Sequence, residues 1–179
     1  MSQVVIISGP PGAGKTSVAE ALCQRYDRTA HIDIDVVRAM VRMGAAKPWG
    51  PEAEAERQRR LEARNVCALT RNFVDALFGV FIDGVIGPLG LEIYRPLLRD
   101  IPVPVHFVVL LPSLEETLRR DHARPGSHVL SERLHLIHAD FVKAGRFAGE
   151  VIDNTALTVE ETADVVMEHA AQGRLLLEL

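Results

Sequence analysis

The chain has 179 residues, of which 20 are basic and 24 acidic, for a formal net charge of −4. That length buries a substantial core in a single domain spanning 1–179 without metal or disulfide staples, and the acid excess excludes a general nucleic-acid surface. Cys23 and Cys67 fall in helical patterns and read as reduced core residues rather than a disulfide framework. No apolar run spans a bilayer and the N-terminus reads as a strand, so a cytoplasmic protein without membrane or nucleic-acid partners is expected.

Residues 3–8 form a short, β-branched apolar run, as a buried parallel strand requires. Gly9-Pro10-Pro11-Gly12-Ala13-Gly14-Lys15-Thr16 follows and fills every position of G-x-x-x-x-G-K-[ST]. Glycines in such a loop let backbone N–H groups crowd around a polyphosphate, and the helix that follows adds its N-terminal dipole. Helical spacing of Val18, Leu22 and Tyr26 supplies that helix. Gly9, Pro11, Gly12, Ala13, Gly14, Lys15, Thr16 and Ser17 are therefore the expected phosphate contacts, with Lys15 on the outer phosphates and the Thr16 hydroxyl on Mg²⁺. The glycine order excludes a dinucleotide fingerprint.

Further strands are predicted at 29–34, 79–83, 103–111 and 150–152. Helices are predicted at 36–43, 52–78, 91–99, 113–120, 131–144 and 159–171. The alternation predicts a parallel sheet covered by helices on both faces. Ser113 and Thr158 read as helix caps, the latter in a capping box with Glu161.

Ligands of an open parallel sheet bind beyond the carboxyl ends of its strands. The second strand ends His31-Ile32-Asp33-Ile34-Asp35, and period-two alternation places His31, Asp33 and Asp35 on one face. Two carboxylates there suit Mg²⁺ and proton abstraction, although Asp35 also reads as a helix cap. The third strand ends in Asp83, the form of a Walker B carboxylate approaching the metal. Arg119, Arg120 and Arg124 precede a Pro125-Gly126 turn; they read either as cations for a migrating phosphoryl group or as a solvated cluster. His135 and His138 lack a metal-site pattern.

Absence of an N-K-x-D motif argues against a GTPase switch, and the length argues against an AAA+ module with its helical lid domain. The P-loop, Asp33-x-Asp35, Asp83-Gly84-Val85 and the segment from Arg120 to Pro125 together resemble the small P-loop kinases. These are the shikimate kinase, gluconate kinase and chloramphenicol phosphotransferase group, related to nucleotide monophosphate kinases. The resemblance covers most of the chain. It implies an α/β three-layer P-loop NTPase fold, its five-stranded parallel sheet ordered 2-3-1-4-5, and ATP with Mg²⁺ as cofactors. It further implies transfer to a small-molecule hydroxyl acceptor. Under the resemblance, Asp35 takes the acceptor's proton, Asp33 orders the magnesium waters, and Arg124 reaches the transferring phosphate. Arg120 lies in the nucleotide lid at 120–131, and Asn154 lies in the loop bordering adenine. No glycine triplet follows the third strand, unlike shikimate kinases, and Asp83-Gly84-Val85 looks closest to the antibiotic-phosphotransferase-like branch.

Acceptor recognition is expected from a lid at 44–64 and the 87–90 loop, with Arg38, Arg42, Trp49 and Arg57 as candidates; such arginines would fit an acidic acceptor. A nucleotide or polynucleotide-end kinase and a non-catalytic ATP-binding module are the competing readings. The apolar tail Leu175-Leu176-Leu177 docks either on its own core or on a second copy in a homodimer.

Overall fold

The structure is a computed structural model and describes residues 2–123, 131–145 and 149–179. Five parallel strands, β1 (Val4–Ser8), β2 (Thr29–Asp33), β3 (Gly79–Asp83), β4 (Val105–Leu110) and β5 (Glu150–Ile152), form one sheet in the order β2-β3-β1-β4-β5. The helices between them are α1 (Lys15–Cys23), α2 (Ile34–Ala39), α3 (Ala53–Asp75), α4 (Pro88–Leu98), α5 (Leu114–His122), α6 (Ser131–Ala144) and α7 (Val159–Ala171). This is the expected P-loop NTPase architecture.

The sheet's two faces follow from the strands' period of two. Val4 and Ile6 of β1, Val80 and Ile82 of β3, and Phe107 and Val109 of β4 bury against α3, α4 and Phe141 of α6. The intervening Val5, Ile7, Phe81, Val108 and Leu110 bury against α1 and α7. Unbroken apolar runs in β1 and β4 thus reflect burial on both sides. Asp83 shares the alternation of Phe81 and turns to the α1 face.

Ser113 caps α5 by accepting from the Glu116 N–H at 3.2 Å, and Thr158 and Glu161 form the capping box of α7. Cys67 is buried in the core, where burial pushes its thiol up to about 12, and Cys23 is also free. His138 is buried and its Nε2 lies 2.8 Å from the Pro112 carbonyl oxygen, tying α6 to the start of α5. No cluster suited to a metal occurs among the described histidines, cysteines and acids, and no described helix is long and apolar enough to cross a membrane.

The tail docks on its own chain. Phe107 N–H donates to Leu175 O and Leu177 N–H to Val105 O, both at 2.8 Å, so the tail runs antiparallel along the part of β4 that the short β5 leaves uncovered. Leu175 and Leu177 are buried, whereas Leu176 faces outward and is 51% exposed. Leu175→Ala is expected to lower unfolding free energy by about 2–5 kcal/mol and Leu176→Ala by about 0.5 kcal/mol or less, measured by chemical denaturation.

Candidate active site

The P-loop joins β1 to α1 through three glycines at positive φ: Gly9 at 146°, Gly12 at 79° and Gly14 at 87°. A Cβ at Gly9 would stand 2.2 Å from the Leu110 carbonyl oxygen, and one at Gly12 would stand 2.5 Å from that of Thr117. Space and dihedral angle both demand glycine at these positions. Gly14 is the N-cap of α1 and has no side chain to cap it, which leaves the first-turn N–H groups facing the loop. Lys15 Nζ donates to the Pro10 carbonyl at 2.9 Å, across the mouth of the loop.

Thr16 Oγ1 donates to Asp83 Oδ2 at 2.7 Å, while His31 Nε2 lies 2.6 Å from Asp83 Oδ1. His31 pairs with Phe81 in the sheet register, so the next same-face residue of β3, Asp83, lies diagonally beside it. The Asp83 hydrogen bond raises the His31 pKa against the opposing effect of burial. A hydroxyl and a buried carboxylate at this spacing are hard oxygen donors, the set that Mg²⁺ prefers. Sequence reasoning missed the His31–Asp83 contact; the register, which no local pattern reveals, creates it.

Asp33 and Asp35 part company, contrary to the alternation expected of them. β2 ends at Asp33, whose Oδ1 accepts from the Asp35 and Val36 N–H groups at 2.7 and 3.3 Å and caps α2. The cap reading of Asp35 is therefore corrected: Asp33 is the cap, and Asp35 sits in the first turn, ion-paired to Arg38 at 2.5 Å. Asp33, expected at the metal, keeps its second oxygen clear of that bond.

Two cavities flank the P-loop. One, of about 710 Å³, is lined by Gly12, Gly14 and Thr16, by Arg119 and Arg120 of α5, and by residues 154–159. Arg120 links its parts: its Nε meets Glu116 at 2.6 Å and its Nη2 donates to the Asn154 carbonyl at 3.0 Å. Asn154 Nδ2 in turn donates to the Ala13 carbonyl of the P-loop at 3.0 Å, while its buried Oδ1 accepts no hydrogen bond. Hydrogen bonds from Arg119 and then Arg120 hold the Glu116 carboxyl down to about 2. Arg124 and most of the expected nucleotide lid lie outside the described residues.

The second cavity, of about 370 Å³, reaches the P-loop at Pro11 and is lined by Asp35, Arg38, Trp49, Glu62 and Tyr94, with Gly87, Pro88 and Gly90 along one side. Arg38 is not a free cation: its Nη1 meets Asp35 and its Nε meets Glu62, each at 2.5 Å. Burial raises the Glu62 pKa, opposed by the charge of Arg38. Residues 44–50 are strapped to α3, since Gln58 bonds Gly44 and Ala46 and Arg59 donates to the carbonyls of Pro48 and Gly50. Trp49 packs under Arg133 of α6, whose guanidinium lies 3.7 Å from the ring centroid. Arg57 lines neither cavity and pairs with Glu54, 72% exposed. Arg59, two residues on and hence on the opposite side of the helix, lines the cavity instead. Arg42 is exposed and also lies off both cavities.

Asp33→Ala is expected to cost about 0.5–2 kcal/mol of stability through loss of the cap, whereas Asp35→Asn leaves stability within about 0.5 kcal/mol, read by urea denaturation. Glu116 binds its proton near pH 2 in the fold against an ordinary 4.5, so its pairing stabilises the fold fully above about pH 4.5 and loses that effect as pH falls toward 2. The difference in thermal midpoint between the parent and Glu116→Gln is expected to shrink over that same window.

The family described as AAA domain (AAA_33) matches residues 4–144, from β1 through α6. Over 148 residues the chain is 32% identical to an adenylate kinase of Prochlorococcus marinus (strain MIT 9303), covering 76% of this chain and 79% of that relative. A shikimate kinase from Acinetobacter baumannii, solved with shikimate, superposes with a TM-score of 0.64 at 21% identity, over 98% of this chain and 96% of its own. The tunicamycin resistance protein of Deinococcus radiodurans superposes with a TM-score of 0.63 at 19% identity, over 100% of both chains. These superpositions show the shared fold, and the identity to adenylate kinase shows descent. The chain belongs to the AAA_33 family and is a P-loop kinase, a distant homologue of the adenylate kinases.

Proposed function

We propose that the protein transfers the γ-phosphoryl group of ATP to a hydroxyl of a small molecule held in the cavity beside Asp35. The observation that supports this most is the position of the P-loop between two cavities: Gly12 and Gly14 line one, Pro11 the other. A phosphoryl group held on the loop's amides is thereby exposed to an acceptor on the far side. ATP is the donor that the family implies, and the unsatisfied Asn154 Oδ1 suits a base bearing an amino group.

In this reading the loop amides and Lys15 hold the phosphates. Thr16 and Asp83 would hold Mg²⁺, which supplies charge neutralisation on the phosphate oxygens. Asp35 orients the acceptor hydroxyl and takes its proton. As the acceptor oxygen bonds to the γ-phosphorus, the bond from that phosphorus to the bridging oxygen breaks and ADP leaves with the electron pair. Arg120, and Arg124 where the lid carries it, neutralise charge on the migrating group. A nucleotide acceptor is a second reading, favoured by the identity to adenylate kinase.

Acceptor-dependent ADP release, measured across hydroxylated small molecules, AMP and oligonucleotides, tests these readings. Lys15→Ala is expected to reduce turnover by about 10²-fold or more, the loss typical of a transition-state phosphate contact, with the circular dichroism spectrum preserved. Asp35→Asn is expected to lower kcat by about 10²- to 10⁴-fold, the usual contribution of a general base. Parent-like turnover in either variant contradicts the mechanism, and ATP binding without release to any acceptor points to a non-catalytic module.

A further inference from the structure

The charges around Arg38 bear on which acceptor the cavity admits. One guanidinium stands between two carboxylates, Asp35 on α2 and Glu62 on α3. Asp35 is largely solvent-facing, with its side chain 67% exposed, whereas Glu62 is only 10% exposed and is further contacted by the Tyr94 hydroxyl at 3.5 Å. Recognition of a carboxylate or phosphate depends on a guanidinium fork with N–H groups to spare and charge left uncompensated. An anion approaching Arg38 meets both carboxylates at the same time, and this end of the cavity carries an excess of negative charge. Arg59 is likewise committed, to Glu56 at 2.9 Å and to two backbone carbonyls. Arg133, on α6, is laid over the Trp49 ring. Ile86, Ile93, Tyr94 and Phe141 make much of the remaining wall apolar.

Resting on the reading of Asp35 as the group that takes the acceptor's proton, we infer that the acceptor carries no anionic group beside its reacting hydroxyl and presents an apolar face, and that Glu62 sets this selectivity. Without Glu62 the Arg38 charge is balanced by Asp35 alone and its Nε is released. Specificity of this kind works by repelling the wrong ligand, so removing the repulsive carboxylate should admit anions that the parent rejects. The same argument disfavours a nucleoside monophosphate whose phosphate would rest on Arg38 or Arg59, because both are already paired with carboxylates.

A matched pair of probes tests the inference: 1-phenyl-1,2-ethanediol and mandelate share a ring and a hydroxyl and differ only in a neutral or anionic neighbour. Calorimetric titration with the nucleotide cleft filled by a non-hydrolysable ATP analogue and Mg²⁺ is expected to show the parent binding the diol at least about tenfold more tightly, the scale of one opposed like charge. Glu62→Gln should narrow that ratio to about threefold or less through tighter mandelate binding, and Arg38→Met should widen it, each by removing one side of the same balance. Equal affinity in the parent, preference for mandelate, no diol binding at millimolar concentration, or a ratio unmoved in both variants overturns the inference. Diol binding without ADP release from ATP counts against the kinase mechanism and leaves the charge selection standing. Faster ADP release with AMP or mandelate than with the diol defeats the charge selection and leaves the mechanism intact.

Discussion

Close backbone packing around the P-loop is the constraint on which the rest of the molecule depends. The loop is wedged so tightly that a single methyl group at Gly9 or Gly12 would overlap the carbonyls of Leu110 and Thr117. Those carbonyls belong to β4 and α5, so the loop's shape is set by elements roughly a hundred residues away in sequence. The same wedge brings α5 close enough for Arg120 to reach Asn154, and Asn154 to reach the loop at Ala13. The loop amides are thereby fixed by the core and by a hydrogen-bonded chain that runs from Glu116 through Arg120 and Asn154 to Ala13.

Asp83 is the second fixed point. Its side chain faces α1 because the alternation of β3 has sent Val80 and Ile82 the other way into the core. Thr16 and His31 then meet its two oxygens from α1 and β2. Ser8 braces the turn that follows, donating to the Ile86 carbonyl at 2.8 Å and accepting from the Ile86 N–H at 3.0 Å. Gly84 lets Ile34 approach, since a Cβ there would lie 2.7 Å from the Ile34 side chain. Packing of Ile34 in turn sets the start of α2, and with it the position of Asp35. Asp83, which precedes Gly84, and Asp35, which follows Ile34, are therefore linked through one small residue.

The two cavities beside the P-loop differ in construction. The larger cavity is bounded by the P-loop, by Arg119 and Arg120 of α5, which pair with Glu116, and by the segment that follows β5. The smaller cavity is bounded by side chains from α2, α3, α4 and α6 and by a strapped loop, so its lining can vary while the P-loop stays unchanged.

The sequence by itself determined the sheet and the phosphate loop. Both rest on local periodicity and on glycines whose dihedral angles are a property of a few neighbouring residues. It also marked Asp83 and the caps at Ser113 and Thr158, whose partners lie one strand or one helical turn away. Tertiary structure alone decided the division of labour between Asp33 and Asp35, because alternation stops being a guide where a strand turns into a helix. Only the packing of α3 against α2 put Glu62 on Arg38, across 24 residues, and turned a cation expected to greet acidic acceptors into one already neutralised. Side-chain charge is written in the sequence, but whether that charge is available to a ligand is a property of distance, which folding alone sets.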